Sequence, residues 1–234
     1  MLTVNRVKYW IKILLGQKMY FARQIHASTM VLGCQGGAFP ITLPGGDALT
    51  VYSFGIGEDL SFSQGVLDAL PQARVYAFDP TPRAIRYAEN HPLSQDSRFT
   101  FLPYGISDTC GTETFYLPKN ENYVSGSVVR WDGVNMDNQI TVEMRTLNAL
   151  MEKLGHKRID ILKMDIEGSE FRVIPQILES GCAFFQLCME QHFRFFPDGK
   201  EKLRDLIKLL NRHGYYIADV SDTGEELLFV KKEL

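Results

Sequence analysis

The chain has 234 residues, 45% of them hydrophobic and 23% charged, with a net charge of −3 and a pI near 6.0. Its length suits one α/β domain with a short extension, and its composition is that of an ordinary globular protein. The mild acidity argues against a nucleic-acid-binding surface. Four cysteines (Cys34, Cys110, Cys182, Cys188) without C-x-x-C spacing argue against structural zinc and point to a reducing compartment, read as the cytoplasm.

Residues 1–47 read as a peripheral helical and loop extension. The apolar run from Tyr9 to Leu15 is interrupted by Lys12. It is too short to span a bilayer and lacks a cleavage site behind it, so the expectation is a short amphipathic helix covering the domain or touching a partner. Gly33-Cys34-Gln35-Gly36-Gly37 and Leu43-Pro44-Gly45-Gly46-Asp47 read as loops.

From Ala48 the pattern alternates strand and helix, and residues 48–234 read as one domain. Val51 to Phe54 is a buried strand entering the turn Gly55-Ile56-Gly57-Glu58-Asp59. A helix starts near Ser61 with Phe62, Val66 and Ala69 on one face. Arg74 to Phe78 is the second core strand and ends in Asp79. Thr81 caps the next helix and Pro82 opens it. Arg98 to Pro103 is the third core strand, and Thr112 to Leu117 with Gln139 to Arg145 suggests an added hairpin.

Thr146 caps a helix carrying Leu147, Leu150, Met151 and Leu154, which Gly155 stops. Ile159 to Met164 is the fourth core strand. It leads through Asp165-Ile166-Glu167-Gly168 to a helix from about Ser169 to Glu179. Ala183 to Glu190 is apolar nearly throughout, as a central parallel strand should be. A long helix with Leu203, Leu206, Ile207 and Leu210 in register follows, with Gly214 past its end. Tyr215 to Val220 and Glu226 to Lys231 close the chain as a hairpin at the sheet edge. The sum is an α/β fold: a doubly wound, mostly parallel, seven-stranded Rossmann-like sheet with an antiparallel last strand.

The glycine turn and Asp79 lie a little over 20 residues apart, close to the roughly 20 of a nucleoside-binding βαβ unit. Glycine lets the backbone approach a ligand, and an acid at the next strand tip can accept from both ribose hydroxyls. The alternative is that Gly55 and Gly57 only shape the turn and Asp79 only caps a helix. A dinucleotide fingerprint would need a third glycine where Leu60 stands, and Glu58 and Asp59 would repel a pyrophosphate. A cationic cofactor without phosphates, S-adenosyl-L-methionine, fits better.

Four blocks in this order, VYSFGIGEDLSF (Val51 to Phe62), YAFDPTP (Tyr76 to Pro82), YGISD (Tyr104 to Asp108) and IDILKMDIEGSE (Ile159 to Glu170), resemble the FkbM-type methyltransferases. The resemblance runs from about Ala48 to the C-terminus. It implies S-adenosylmethionine-dependent O-methylation of a sugar or related natural-product hydroxyl, with a small molecule or saccharide as acceptor. Ser63 stands where such chains often carry aspartate. Gly126, in Val124-Ser125-Gly126-Ser127, stands where they often carry histidine, which would alter the acceptor if that segment lines its pocket.

Ligands of open α/β sheets bind at the carboxyl ends of the strands. Phe54, Gly55, Ile56 and Gly57 would then pass beneath the methionine part of the cofactor, with Glu58 or Asp59 near its amino group. Asp79 would take the ribose, Pro80 would pack beside the adenosine, and Gly105, Ile106 and Ser107 would contact adenine. Asp108 reads either as an acceptor from the adenine amine or as a turn aspartate. Asp165 would orient the acceptor hydroxyl or remove its proton; Glu167 reads either as pointing the same way across the turn or, preferred, as a cap of the following helix. His192 reads as a general base or as a surface-loop histidine, and Glu190 as its orienter or an acceptor contact.

Asp165, Glu190 and His192 could also be read as metal ligands, but no spacing demands it and no metal is assigned. Phe193, Phe195 and Phe196, interleaved with Arg194, could stack on a sugar, with core under a loop preferred. Two rival readings are a nucleotide-dependent oxidoreductase and a non-catalytic S-adenosylmethionine-binding module.

Overall fold

The computed structural model describes residues 3–34, 37–120 and 126–232. In chain order the elements are α1 (Val4–Leu14), β1 (Thr29–Leu32), β2 (Phe39–Thr42), β3 (Leu49–Phe54), α2 (Ser61–Ala69), β4 (Ala73–Phe78), α3 (Pro82–Asn90) and β5 (Phe99–Leu102). They continue with β6 (Gly105–Ile106), β7 (Gly111–Pro118), β8 (Val134–Arg145), α4 (Leu147–Leu154), β9 (Ile159–Met164) and α5 (Glu170–Glu179). The last are β10 (Phe184–Glu190), α6 (Gly199–Arg212), β11 (Tyr215–Val220) and β12 (Glu226–Lys231).

Seven strands form one sheet in the order β11-β12-β10-β9-β3-β4-β5. The strands from β5 to β10 pair in parallel. The last strand, β12, is antiparallel to both neighbours and lies between β10 and β11, so β11 takes the edge. The chain winds outward from β3 to β5, then returns to lay β9 on the other side of β3. Such a reversal opens a crevice at the carboxyl ends of the strands. Register makes those ends level: Phe54 pairs with Phe78 on one side and with Met164 on the other. The next residue of each strand, Gly55, Asp79 and Asp165, therefore emerges side by side.

Local chemistry sets these elements. The Thr81 hydroxyl accepts from the Ala84 amide and the Thr146 hydroxyl from the Ala149 amide, capping α3 and α4 as their spacing implies. Gly155 closes α4 in the left-handed region at φ 72°. All six residues of β9 are buried, because helices cover both sheet faces. The expected hairpin of β7 and β8 forms, and β6 joins it as a third strand parallel to β8.

The first 47 residues depart from the peripheral helix and loops expected of them. The helix is there, docked by Tyr9 against Gly224 in the β11–β12 turn, where an added Cβ would lie 2.1 Å from the ring. The Gly33-to-Gly37 loop, however, joins two antiparallel strands, β1 and β2; its residues Gln35 and Gly36 lie outside the described residues. Every residue of β2 is buried, with Phe39 and Ile41 fully so. Gln186 of β10 holds β2 in place: its Oε1 accepts from the Thr42 amide at 2.8 Å, and its Nε2 donates to the Thr42 carbonyl at 3.1 Å. Burial of Phe39 and Ile41 over the sheet, at about 1.5–3 kcal/mol per side chain, outweighs the weak strand signal of a four-residue segment containing Pro40.

Candidate active site

A cavity of about 290 Å³ opens at the level strand ends, at the lower edge of the size range of small-molecule sites. Phe54 to Asp59, Asp79, Pro80, Gly105 and Ile106 line it from the β3–β6 side. Lys163, Asp165, Ile166, Glu167 and Ser169 line it from the β9 side.

On the first side the turn is held by its own backbone. Gly57, at φ 51°, turns its amide onto Asp79 Oδ2 at 3.0 Å. Asp79 Oδ1 accepts from the Thr81 amide at 2.9 Å and from its hydroxyl at 2.7 Å. Burial raises the Asp79 pKa, and these three hydrogen bonds work against the rise. Asp79 thus closes the turn and opens α3, and it still faces the cavity. Gly55, at φ 73°, has a further reason to be glycine: a Cβ there would lie 1.7 Å from the Asp165 carbonyl oxygen. The β3 and β9 turns cross too closely for any side chain.

At Gly105 a Cβ would lie 2.3 Å from the sulfur of the flexible Met144 side chain rather than against backbone. Glu58 pairs with Arg83 at 2.7 Å, and Asp59 Oδ1 accepts from the Ser61 amide at the start of α2. Ser107 and Asp108 are not among the residues lining the cavity. The Ser107 hydroxyl donates to Asp108 Oδ1, and Asp108 pairs with Arg172 at 3.3 Å, a structural use of the turn aspartate.

The second side is made of charge. Lys163, itself buried, donates to the carbonyls of Gly55 at 2.7 Å and Phe54 at 3.2 Å, and stands 3.6 Å from Asp165 Oδ2. The Phe39 ring of β2 lies 4.9 Å from that ammonium. Asp165 is pushed up to about 6, chiefly by burial, with Lys163 opposing and Glu190 adding to the rise.

His192 is neither a surface-loop residue nor a freely available base. It is 1% exposed and ringed by carboxylates. Its Nδ1 lies 2.9 Å from Glu170 Oε1; its Nε2 lies 3.4 Å from Glu190 Oε1, 3.6 Å from Glu167 Oε2 and 3.7 Å from Asp165 Oδ1. Burial pulls its pKa down, but Glu170, Glu190 and Glu167 outweigh it and hold the imidazole well above its ordinary value.

Glu167, expected as a helix cap, reaches this cluster instead. It sits at φ 52°, the one positive-φ non-glycine among the described residues, a conformation that costs on the order of 1–3 kcal/mol. The carboxylate at the start of α5 that accepts a backbone amide, from Ile166 at 3.1 Å, is Glu170. Sequence reasoning had not singled out Glu170 or Lys163. The signal for Lys163 was a cation one residue from the carboxyl end of a largely apolar central strand.

Phe193 and Phe195 are buried, as the core reading has it, and Phe195 stacks on Trp131 at 4.1 Å while its ring lies 5.1 Å from the His192 ring. Gly126 lines the cavity; a Cβ there would come within 3.0 Å of Phe115. Val124 and Ser125 lie outside the described residues. Ser63 is buried in α2 and does not line the cavity.

Glycine turn, strand-end acid and strand order are those of a Rossmann-like fold, and the family to which the chain belongs makes it an S-adenosylmethionine-dependent methyltransferase. The FkbM methyltransferase domain matches residues 55–217, and the chain belongs to that family. It is 32% identical over 166 residues to the 2-O-methyltransferase NoeI of Sinorhizobium fredii, a match covering 65% of this chain and 67% of that protein. It is 24% identical over 191 residues to the AMB antimetabolite synthetase AmbE of Pseudomonas aeruginosa, where the match covers 67% of this chain and 9% of that much longer protein. A fibrillarin structure, from a fibrillarin/Nop5p complex, superposes with a TM-score of 0.50 at 9% identity, covering 99% of this chain and 83% of that one; this likeness concerns the fold alone.

Proposed function

We propose that the protein methylates a hydroxyl oxygen of a sugar or related small-molecule acceptor. The observation that carries this reading is Asp165, whose carboxylate faces the same cavity as the glycine turn and Asp79. The likeness to a 2-O-methyltransferase supports oxygen as the methylated atom.

The residues present fit the cofactor. Asp79 offers an oxygen at the cavity wall for the ribose, Pro80 and Ile106 offer apolar faces for the adenosine, and Gly57 leaves the turn open. When bound, S-adenosylmethionine supplies a methyl carbon made electrophilic by its sulfonium. The protein's part is alignment, water exclusion and proton removal. Asp165 accepts the hydrogen bond of the acceptor hydroxyl and takes its proton as the oxygen–methyl bond forms. Lys163 stands 3.6 Å from that carboxylate and Glu167 lines the same cavity, while Glu190, beside His192, lies outside its lining. Gly126 and Phe115 shape the wall the acceptor meets. No helix among the described residues is long and apolar enough to cross a membrane.

The test is transfer of labelled methyl from S-adenosylmethionine to a panel of mono- and oligosaccharides. Asp165→Asn should lower turnover by about 10²–10⁴-fold while S-adenosylhomocysteine still binds. Full turnover by that variant, or a label found on nitrogen or carbon, would overturn the reading.

A further inference from the structure

His192 is held as a metal-ligating histidine is held. Its Nδ1 is engaged by the buried Glu170 carboxylate, whose Oε1 also accepts from the Ile166 amide. That contact fixes the ring and presents Nε2 to the oxygens of Glu190, Glu167 and Asp165. Carboxylate–histidine pairs of this kind orient the ring and raise its basicity as a ligand in metal sites.

The distances agree. Separations of 3.4–3.7 Å from Nε2 to the three oxygens exceed the roughly 2.7–3.2 Å of a good N–H···O bond. They fall between the ~3.0 Å of adjacent ligands and the ~4.2 Å of opposite ligands in an octahedron placed ~2.1 Å from a cation. One ligand atom each from Asp165, Glu190 and His192 lies within 4.8 Å of the others.

The charge balance favours a cation as well. Four carboxylates, Asp165, Glu167, Glu170 and Glu190, meet at one imidazole. Among the described residues, Lys163 stands 3.6 Å from the far oxygen of Asp165 and Arg194 stands 3.9 Å from Glu190.

We propose that Asp165, Glu190 and His192 bind a divalent cation, with Glu167 placed to complete the set. An oxygen-rich set with one imidazole suits Mg²⁺ or Mn²⁺ better than a thiophilic metal. Only the cation's role rests on the O-methyltransferase reading: it would hold the acceptor hydroxyl beside Asp165 and make its proton easier to remove. Spacing along the chain does not announce this site, because its ligands come from the ends of two strands and are brought together by the β9–β10 pairing.

The experiment is a titration of chelator-treated full-length protein with Mn²⁺, following free Mn²⁺ by electron paramagnetic resonance, without cofactor or acceptor. Wild type should show one saturable site per chain. Glu190→Gln should abolish it, and Glu170→Gln, which alters the ring's support and leaves the proposed ligands in place, should weaken it by about 10–100-fold. S-adenosylhomocysteine binding, retained in both variants, reports that they are folded. Absence of saturable binding, or equal binding by wild type and folded Glu190→Gln, would overturn the proposal. Mn²⁺ binding without transfer to any hydroxyl acceptor would leave the site standing and remove the acceptor reading. Transfer undiminished by chelator in a protein that binds no Mn²⁺ would do the reverse.

Discussion

On the β3–β4 side of the cavity, polar groups are satisfied close to home. Asp79 has three hydrogen bonds from Gly57 and Thr81, and Glu58 and Asp59 have local partners. On the β9–β10 side, carboxylates are set against one another around a buried histidine. Glu167 holds a left-handed backbone, and Glu170 keeps Oε2 buried without a hydrogen-bond partner. The first side is a preformed cradle whose parts also stabilise the fold. The second carries strain and like-charge repulsion that the fold tolerates, as reactive sites commonly do. The methyl carbon brings its own electrophilicity, so its cradle needs only to be rigid. In the proposed reaction the hydroxyl is a poor nucleophile and needs a positioned base, the role proposed for Asp165.

Three substitutions probe this contrast. Gly55→Ala strikes both sides at once, because its Cβ would collide with the Asp165 carbonyl at a φ that favours glycine. We expect a stability loss above ~3 kcal/mol, read as a drop in thermal midpoint of about 6–12 °C, together with loss of cofactor binding. A variant that melts like wild type would show that the two turns move independently. Asp79→Ala should act on the cradle alone. Losing hydrogen bonds to a charged group, at about 1.5–3 kcal/mol, should weaken S-adenosylhomocysteine roughly 10–100-fold by calorimetry. Mn²⁺ binding at the other side should be unchanged.

Glu167→Gly should produce the smallest shift and the opposite sign. Relief of the left-handed backbone should raise stability by about 1 kcal/mol, a gain of about 2–4 °C, while turnover falls. A lower midpoint would show that Glu167 contributes more through its contacts than its backbone costs.

Much of the cradle is legible in the chain. Apolar runs of strand length, glycines at a turn, an acid closing the next strand and threonine–proline at a helix start each act within a few residues. Local sterics and hydrogen bonding therefore decide them. The charged side is legible only as separate tips: Asp165 and Glu190 were visible as strand ends and His192 as a nearby histidine. That His192 is buried, that Glu170 supports it and that Glu167 joins it follow from how α5 and the β10 terminus pack. The same holds for Ser107 and Asp108. Their place near the cavity was expected from strand order, but neither lines it, and Asp108 pairs with Arg172 of α5.

Periodicity and turn chemistry were enough to specify the doubly wound sheet, its helices and the glycine–acid pair, because those are properties of short stretches of chain. Assembly decided the rest. Phe39 and Ile41 become core only because a sheet face exists for β2 to cover. Likewise, four acids and a histidine become one site only because parallel pairing of β9 with β10 sets their ends side by side. Long-range burial and electrostatics act between residues far apart in sequence, where no local pattern records them.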